Sequence, residues 1–402
     1  MNYSRKLELA TTLGGFTPCL SFIPERSLMQ KGLPNRFYTT REDFLLERER
    51  IFSSMWTCIG FSSDTAEPGD AFPLEFMELP LLILRGEDHQ LRVFHNVCPH
   101  RGHILVSEAG RMKKMLRCPY HSWTFQLDGK LANTPHIGGV GVRELENFDP
   151  TCHGMREIRS EVWNDLVFIN LDGEAESFSQ FIQPLEKRWK YFWGTHGPGM
   201  LKRSGIDDRI DFELETNWKL AVENYLEAYH LPTIHPALNR VSPVKDHEIF
   251  IEEGFSGQIS HNYQYRSGNA KPLPLFPEWP LDQLNYAEYP VLYPNTLFGL
   301  QADHFYVMVI LPLRFDLTRE EARIYRVGEE SVGDFFSSQR SAQHEFWRSV
   351  FQEDVGAVTG MQKGRASIGF DGGVLTPVME SATAAFHHWT ANKLDYELGV
   401  SN

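Results

Sequence analysis

Two short segments constrain this chain more than anything else in it. Residues 98–103 read CPHRGH and residues 118–123 read CPYHSW. Cys98 is followed by His100, and after seventeen intervening residues Cys118 is followed by His121. A proline after each cysteine stiffens its loop. Two tight loops, each offering one thiolate and one imidazole, can converge on a single metal centre. Zinc accepts a Cys2His2 set, but a zinc finger groups its cysteines in one half and its histidines in the other. Here each half supplies one of each. A [2Fe–2S] cluster with two thiolates on one iron and two imidazoles on the other divides its ligands in that way. The remaining readings are a zinc site, or two buried cysteines that happen to lie near histidines. Neutral imidazoles in place of thiolates make such a cluster easier to reduce, at roughly −150 to +300 mV. It would take single electrons from a reductase and pass them to a stronger oxidant.

A length of 402 residues suits two domains, and 42% hydrophobic residues leave ample material to bury. The net charge of −14 argues against nucleic-acid binding. No run of eighteen apolar residues or signal-like N-terminal stretch is present, so a cytoplasmic protein without a membrane span is expected. Five cysteines are too few and too odd for a disulfide framework. Cys58 and Cys152 read as buried thiols, and His95 and His103 as structural or surface histidines.

Residues 38–60 predict a helix, with Thr40 as N-cap, Asp43 in the first turn, and apolar Phe44, Leu45, Ile51, Phe52 and Met55. From about 57 to 155, short β-rich runs such as Leu81–Leu84 and Leu91–Phe94 alternate with turns at Pro68-Gly69, Gly86 and Asp128-Gly129. That texture predicts a small all-β domain. Residues 161–171 predict a further strand, 217–230 a helix, 304–312 a buried strand and 334–362 a long helix. The fold class is α+β, with a change of domain near 155–175.

A second constellation lies in NWKLAVENYLEAYHLPTIHP, residues 217–236. On a helix Glu223, Glu227 and His230 share one face, with a rise of about 4.5 Å from Glu227 to His230. Pro232 is expected to end that helix and leave His235 in the following turn. Two histidines and one carboxylate make the facial triad of non-haem Fe(II) oxygenases, which leaves positions open for dioxygen and substrate. The alternative is an amphipathic helix with solvated glutamates and a surface histidine.

CPHRGH followed by CPYHSWTF resembles the Rieske domain of the ring-hydroxylating oxygenases, over roughly residues 45–155. The resemblance extends over nearly the whole chain. It implies an N-terminal segment (1–44) packing on the catalytic domain, a Rieske [2Fe–2S] domain (45–160) and a catalytic mononuclear iron domain (161–402) of helix-grip, START-like form. By the resemblance Cys98, His100, Cys118 and His121 hold the cluster, and His230 and His235 hold a mononuclear Fe(II). The resemblance implies that the acid at Glu227 is not a ligand but bridges a ligand histidine to a cluster histidine of a neighbouring subunit. The third ligand lies far downstream, best matched by Asp354 in FQEDVGAVTGMQKG. Adjacent Glu353 points about 100° away on a helix, and Glu380 and Asp371 are outside candidates. The family usually has aspartate at the bridging position. Glutamate there, and the wording ENYLEAYH, resemble the branch acting on choline, glycine betaine and carnitine.

The resemblance further implies a homotrimer or dimer of trimers, O2 as co-substrate, and a separate flavin and iron–sulfur reductase that takes hydride from NAD(P)H. The expected reaction is hydroxylation or oxidative N-demethylation of a small quaternary ammonium substrate. The rivals are a ring-hydroxylating oxygenase for an aromatic acid and an electron-transfer protein with an inactive iron site. A quaternary ammonium has no N–H to donate, so aromatic faces are its natural partners. The candidates are Tyr263, Tyr265, Trp279, Phe298 and Tyr306, with Tyr293 and Phe305 as further possibilities.

Overall fold

The computed structural model describes residues 29–205, 208–264 and 271–399. Residues 1–28, most of the expected N-terminal segment, and Tyr265 lie outside that set. The described chain opens with β1 (Gln30–Lys31), α1 (Arg36–Thr39) and α2 (Arg41–Glu47). Thr40 caps α2 as the sequence predicts: its hydroxyl oxygen accepts the Asp43 N–H. One wide turn over Arg48–Phe52 ends the helix, short of the expected residue 60. Residues Thr57–Phe61 form β2 instead. All five are buried, an environment that favours a strand for this short apolar run.

Strands β3 (Asp70–Phe76), β4 (Leu79–Arg85), β5 (Leu91–His95) and β6 (Gly110–Arg111) follow. Next come β7 (Met115–Arg117), β8 (Thr124–Gln126) and β9 (Leu131–Asn133), a separate three-stranded sheet. The strand expected over 161–171 is a hairpin of β10 (Glu157–Trp163) and β11 (Leu166–Asn170). Asn164 and Asp165 turn it at φ of 49° and 81°, which these residue types tolerate. The seven-stranded antiparallel sheet runs β2-β11-β10-β5-β4-β3-β6. It therefore continues to Asn170, and the boundary expected at 160/161 falls inside β10 because the hairpin pairs backwards onto β5 and β2. Cys58 is buried, which pushes its thiol up to about 12. Cys152 is exposed, contrary to expectation, in a surface turn with its sulfur 3.5 Å from Asp149.

The second half contains α3 (Phe178–Trp193), α4 (Gly197–Met200), β12 (Leu201–Lys202), β13 (Arg209–Leu214), α5 (Trp218–Tyr225), α6 (Leu231–Ile234) and α7 (Pro236–Val241). Then follow β14 (His247–Glu252), β15 (Phe255–Ser260), β16 (Ala287–Leu292), β17 (Thr296–Gln301), β18 (His304–Arg314) and β19 (Leu317–Val327). The chain closes with α8 (Ser337–Arg365), β20 (Val374–Leu375) and α9 (Ser381–Lys393). The antiparallel sheet runs β12-β19-β18-β17-β16-β15-β14, with β13 also on β19, and β1 pairs with β20. Strand β18 is buried at every position but Arg314. It lies against α5 and against β2 and β3 of the first sheet, so its apolar run is continuous. Asn295 fastens the two sheets, donating to the carbonyls of Cys58 and Ile310, each at 2.8 Å.

Helix α5, which leads into the candidate site, is anchored by a fully buried ion pair between Lys219 and Glu47. Trp218 Nε1 donates to the same carboxylate at 2.7 Å. Burial lowers the Lys219 ammonium and raises the Glu47 carboxyl, and their mutual contact offsets both effects. Removing one partner leaves the other charge unpaired in the core. Lys219→Met is expected to cost about 3–5 kcal/mol, read as a lower urea midpoint. The Glu47→Gln/Lys219→Met double variant should recover part of that loss.

Candidate active site

The two cysteine loops fold alike. Cys98 N–H donates to the His103 carbonyl and Cys118 N–H to the Trp123 carbonyl, both at 2.8 Å. Gly102 N–H and Ser122 N–H close back onto the Cys98 and Cys118 carbonyls at 2.9 and 3.0 Å. Gly102 and Ser122 take left-handed φ values of 73° and 59° to do so. Both cysteines are buried, His121 is half-buried and His100 is exposed. The two imidazoles lie 4.7 Å apart, and Trp123 stacks on His100 at the same distance. Burial, and the Cys118 thiol beside it, raise the Cys98 thiol above its usual range. His121 Nδ1 is buried with no hydrogen-bond partner. A lone pair left in that state fits a metal ligand, so these four residues suit the cluster.

The second constellation departs from the expected helix. Helix α5 stops at Tyr225, five residues early. The cause is the Glu227 carboxylate, which accepts the His230 backbone N–H (3.1 Å) and Nδ1–H (2.6 Å) and so starts a new turn. Pro232 sits at the start of α6 and does not terminate a helix. His235 falls between α6 and α7, held by its N–H to the Leu231 carbonyl at 3.0 Å. Glu223 does not share a face with Glu227. It turns into the core, where Tyr38 donates to it at 2.5 Å and His387 lies at 3.0 Å.

Asp354 meets both histidines from α8. Trp347, Val350, Phe351, Asp354 and Val358 form one stripe on that helix, apolar except for the acid. Asp354 Oδ1 lies 2.8 Å from His235 Nε2 and 3.7 Å from His230 Nε2. Asn224 Nδ2 donates to the same oxygen at 2.8 Å. Ligand atoms of His230, His235 and Asp354 all fall within 4.8 Å of one another. Glu353 is turned to the far side of His235 and accepts its Nδ1–H at 2.8 Å. Each imidazole is thus backed by a carboxylate on Nδ1, which leaves Nε2 free to bind metal. Burial lowers the His235 pKa, but Asp354 and Glu353 outweigh it and raise the value. A divalent cation would take the place of that extra proton. Glu380 and Asp371 are engaged elsewhere, with the backbones of Thr376 and Asn35. Glu353→Gln is expected to weaken iron binding roughly 10–100-fold, measured by chelator competition, with the cluster spectrum unchanged.

A cavity with about 470 Å³ of atom-free space, its mouth included, opens beside these three residues. Its aromatic wall is Tyr225, Tyr289, Tyr306, Trp347 and Phe351. Of the substrate candidates named above, Tyr306 lines it. Phe298 and Phe305 lie on the other face of the sheet, because Gly299 is the residue opposite Tyr306 and side chains alternate. Gly299 also leaves room for the Tyr306 ring: a Cβ there would meet it at 2.1 Å. Tyr263 stacks behind Trp347 at 6.2 Å, Trp279 packs on Phe192 at 5.0 Å, and Tyr293 on Trp389 at 4.8 Å. The floor is a hydrogen-bond chain. His247 donates to Gln258 (2.9 Å) and accepts from Ser242 (2.9 Å), and burial lowers the pKa of its imidazole.

Residues 55–148 match the sequence profile of the Rieske [2Fe-2S] domain, and residues 201–396 match that of the ring hydroxylating alpha subunit (catalytic domain). The carnitine monooxygenase oxygenase subunit of Acinetobacter baumannii is 30% identical over 89% of this chain and 93% of its own length. The chain belongs to the Rieske non-haem iron oxygenases of the ring-hydroxylating alpha-subunit family. The glycine betaine monooxygenase oxygenase subunit of Pseudomonas aeruginosa is 30% identical over 51% of this chain and 45% of that protein. A solved quaternary ammonium Rieske monooxygenase superposes with a TM-score of 0.75 at 28% identity, covering 90% of this chain and 95% of that one. This Rieske oxygenase is therefore an oxidoreductase that incorporates oxygen, with a [2Fe–2S] cluster, a mononuclear iron and a reductase partner. No helix among its described residues is long and apolar enough to cross a membrane.

Sequence reasoning missed Glu353 as a partner of His235, Asn224 as a partner of Asp354, and four of the five cavity aromatics. Trp347 and Phe351 carried a usable signal. They stand seven and three residues before Asp354, on the helix face that the acid itself defines.

Proposed function

We propose that this oxygenase hydroxylates an N-methyl group of a small quaternary ammonium compound and so removes the methyl as formaldehyde. The observation that carries the proposal is the cavity wall of five aromatic rings beside Asp354, with no Lys or Arg among the described lining residues. Such a wall suits a cation that cannot donate a hydrogen bond. The named substrates of the relatives, carnitine and glycine betaine, support the same reading.

Cys98, His100, Cys118 and His121 would hold the cluster, and His230, His235 and Asp354 the iron. When bound, the iron supplies dioxygen activation and the cluster a one-electron store. The protein's own part is positional. Trp347 is fixed by its Nε1–H to His304 Nε2 at 2.9 Å, so its ring is a rigid face for the ammonium. The Tyr289 hydroxyl is buried near Ser242 and Gln301 without a well-formed hydrogen bond to either, which suits it to the substrate's polar end. In balance, the N-methyl ammonium ion, O2, two electrons and two protons give the N-hydroxymethyl ammonium ion and water. That carbinolamine then releases formaldehyde, the tertiary amine and a proton.

The assembly we propose is a cytoplasmic homotrimer, head to tail, in which Glu227 joins His230 of one subunit to a cluster histidine of the next. Support comes from the partial exposure of Glu227 and His230 and the exposure of His100. Inter-subunit electron transfer is described for the solved quaternary ammonium relative. A panel of choline, glycine betaine, carnitine and aromatic acids, run with NADH, oxygen and a generic reductase, tests the substrate class. Formaldehyde from a quaternary amine is expected, and failure of every one would sink the proposal. Trp347→Ala should raise KM for the ammonium substrate roughly tenfold with a smaller change in kcat.

A further inference from the structure

The segment that carries both cluster loops, residues 98–123, contains Arg101, Arg111, Lys113, Lys114 and Arg117 against a single acid, Glu108. Its net charge is +4 in a chain of −14, so all other residues together carry −18. All five cations are exposed. Arg101 lies over the Tyr120 ring at 5.5 Å, Arg111 pairs with Asp70 at 2.8 Å, and Arg117 donates to Ser122 at 2.7 Å. Lys113 and Lys114 form no ion pair among the described residues. An exposed apolar side chain lies among the cations of residues 111–117: Met115 at 49%. Along β7 Met115 and Arg117 face outward while Leu116 is buried, and Cys118 follows directly.

An apolar centre set among cations fits a partner with an apolar patch inside an acidic rim. The partner must also have a reason to approach the cluster. A reductase has that reason, and a donor [2Fe–2S] centre held by four thiolates is more anionic than this cluster with its two neutral imidazoles. A donor seated at Lys114 is only four residues, at most about 13 Å of strand, from Cys118. We propose that the surface formed by residues 111–117, beside the cluster loops that the neighbouring subunit's bridging acid would face, docks the reductase through an acidic face surrounding a thiolate-ligated [2Fe–2S] centre. The strongly acidic remainder of the chain would then repel such a partner everywhere else and steer it to this patch.

The test uses the full-length holoenzyme and a plant-type [2Fe–2S] ferredoxin, kept reduced by its own NADPH-dependent reductase, as the probe. The rate of cluster reduction is followed by absorbance. Lys113→Glu/Lys114→Glu should slow reduction roughly tenfold or more at low ionic strength and flatten its salt dependence. Reduction by a neutral photoreduced deazaflavin should not change. A control, Lys190→Glu/Lys393→Glu, makes the same change in net charge at exposed positions on α3 and α9, and it should leave the ferredoxin rate near that of the wild type. Three results would overturn the proposal. One is an unchanged ferredoxin rate in the Lys113/Lys114 variant. Another is an equal loss in the control, which would mean that net charge alone matters. The third is a lowered oligomer mass in sedimentation, which would assign the patch to contact between copies of this chain.

Discussion

Asp354→Ala is expected to empty the mononuclear iron site and abolish oxygen uptake, while the reduced cluster keeps its EPR signal. The argument rests on what Asp354 Oδ1 does. Among the described residues it is the one anionic atom facing both Nε2 nitrogens, and it is oriented by Asn224. Outer-shell changes at metal sites cost roughly 10–100-fold in affinity, and loss of a ligand should exceed that. With the acid gone, two imidazoles alone would have to hold a divalent cation against solvent. Iron analysis separates this from misfolding: iron should fall from three per chain to two, those of the cluster. An unchanged third iron would remove Asp354 from the ligand set. The same geometry sets a pH dependence. Asp354 and Glu353 raise the His235 pKa, so the proton competes with iron over a wider range than at an ordinary histidine. Iron binding should therefore weaken as pH falls through that raised value, and the proton released on loading should be measurable in weak buffer. Glu353→Gln should lessen both effects.

The cluster loops were legible because their chemistry is local. One residue separates Cys98 from His100 and two separate Cys118 from His121, so spacing alone nearly determines the candidate site. The candidate iron site was legible in its histidines, which the fold brings beside Asp354, but not in its architecture. Periodicity placed Glu223, Glu227 and His230 on one helical face, but a carboxylate able to take a backbone N–H three residues on can stop a helix as well as decorate it. Glu227 does so, and Glu223 is left in the core with Tyr38 and His387. Glu353 was discounted because a helical neighbour of Asp354 must point away from it. That is true, but His235 presents two nitrogens, and Glu353 reaches the second. Of the candidate substrate aromatics among the described residues, Tyr306 alone lines the cavity, for a related reason. Aromatic content in the strands does not reveal which face of the sheet meets the cavity, and the α8 stripe through Trp347 and Phe351 does.

Glu227→Gln should slow turnover roughly 100-fold without emptying either metal site. The amide oxygen still accepts from His230 Nδ1, so the imidazole stays oriented, and loading with excess iron offsets a weakened affinity of the kind expected for Glu353→Gln. What changes is the charge between His230 and any cluster histidine brought against it. With reductase, NADH, substrate and oxygen all present, the wild-type cluster should reoxidise at each turnover, and the variant's cluster should remain reduced in freeze-quenched EPR. Glu227→Ala should lose iron as well, which separates the orienting role from the transfer role. Whether the route crosses a subunit boundary is open to a sharper trial. Cys118→Ala removes the cluster from a chain whose Glu227 and iron ligands are intact. Co-expressed with Glu227→Gln chains, it can form mixed assemblies in which a sound cluster of one chain faces a sound Glu227 of the next. A head-to-tail arrangement predicts that such mixtures regain activity that neither variant shows alone. If the electron passed within one chain, every subunit of the mixture would still lack either its donor or its bridge, and no activity would return.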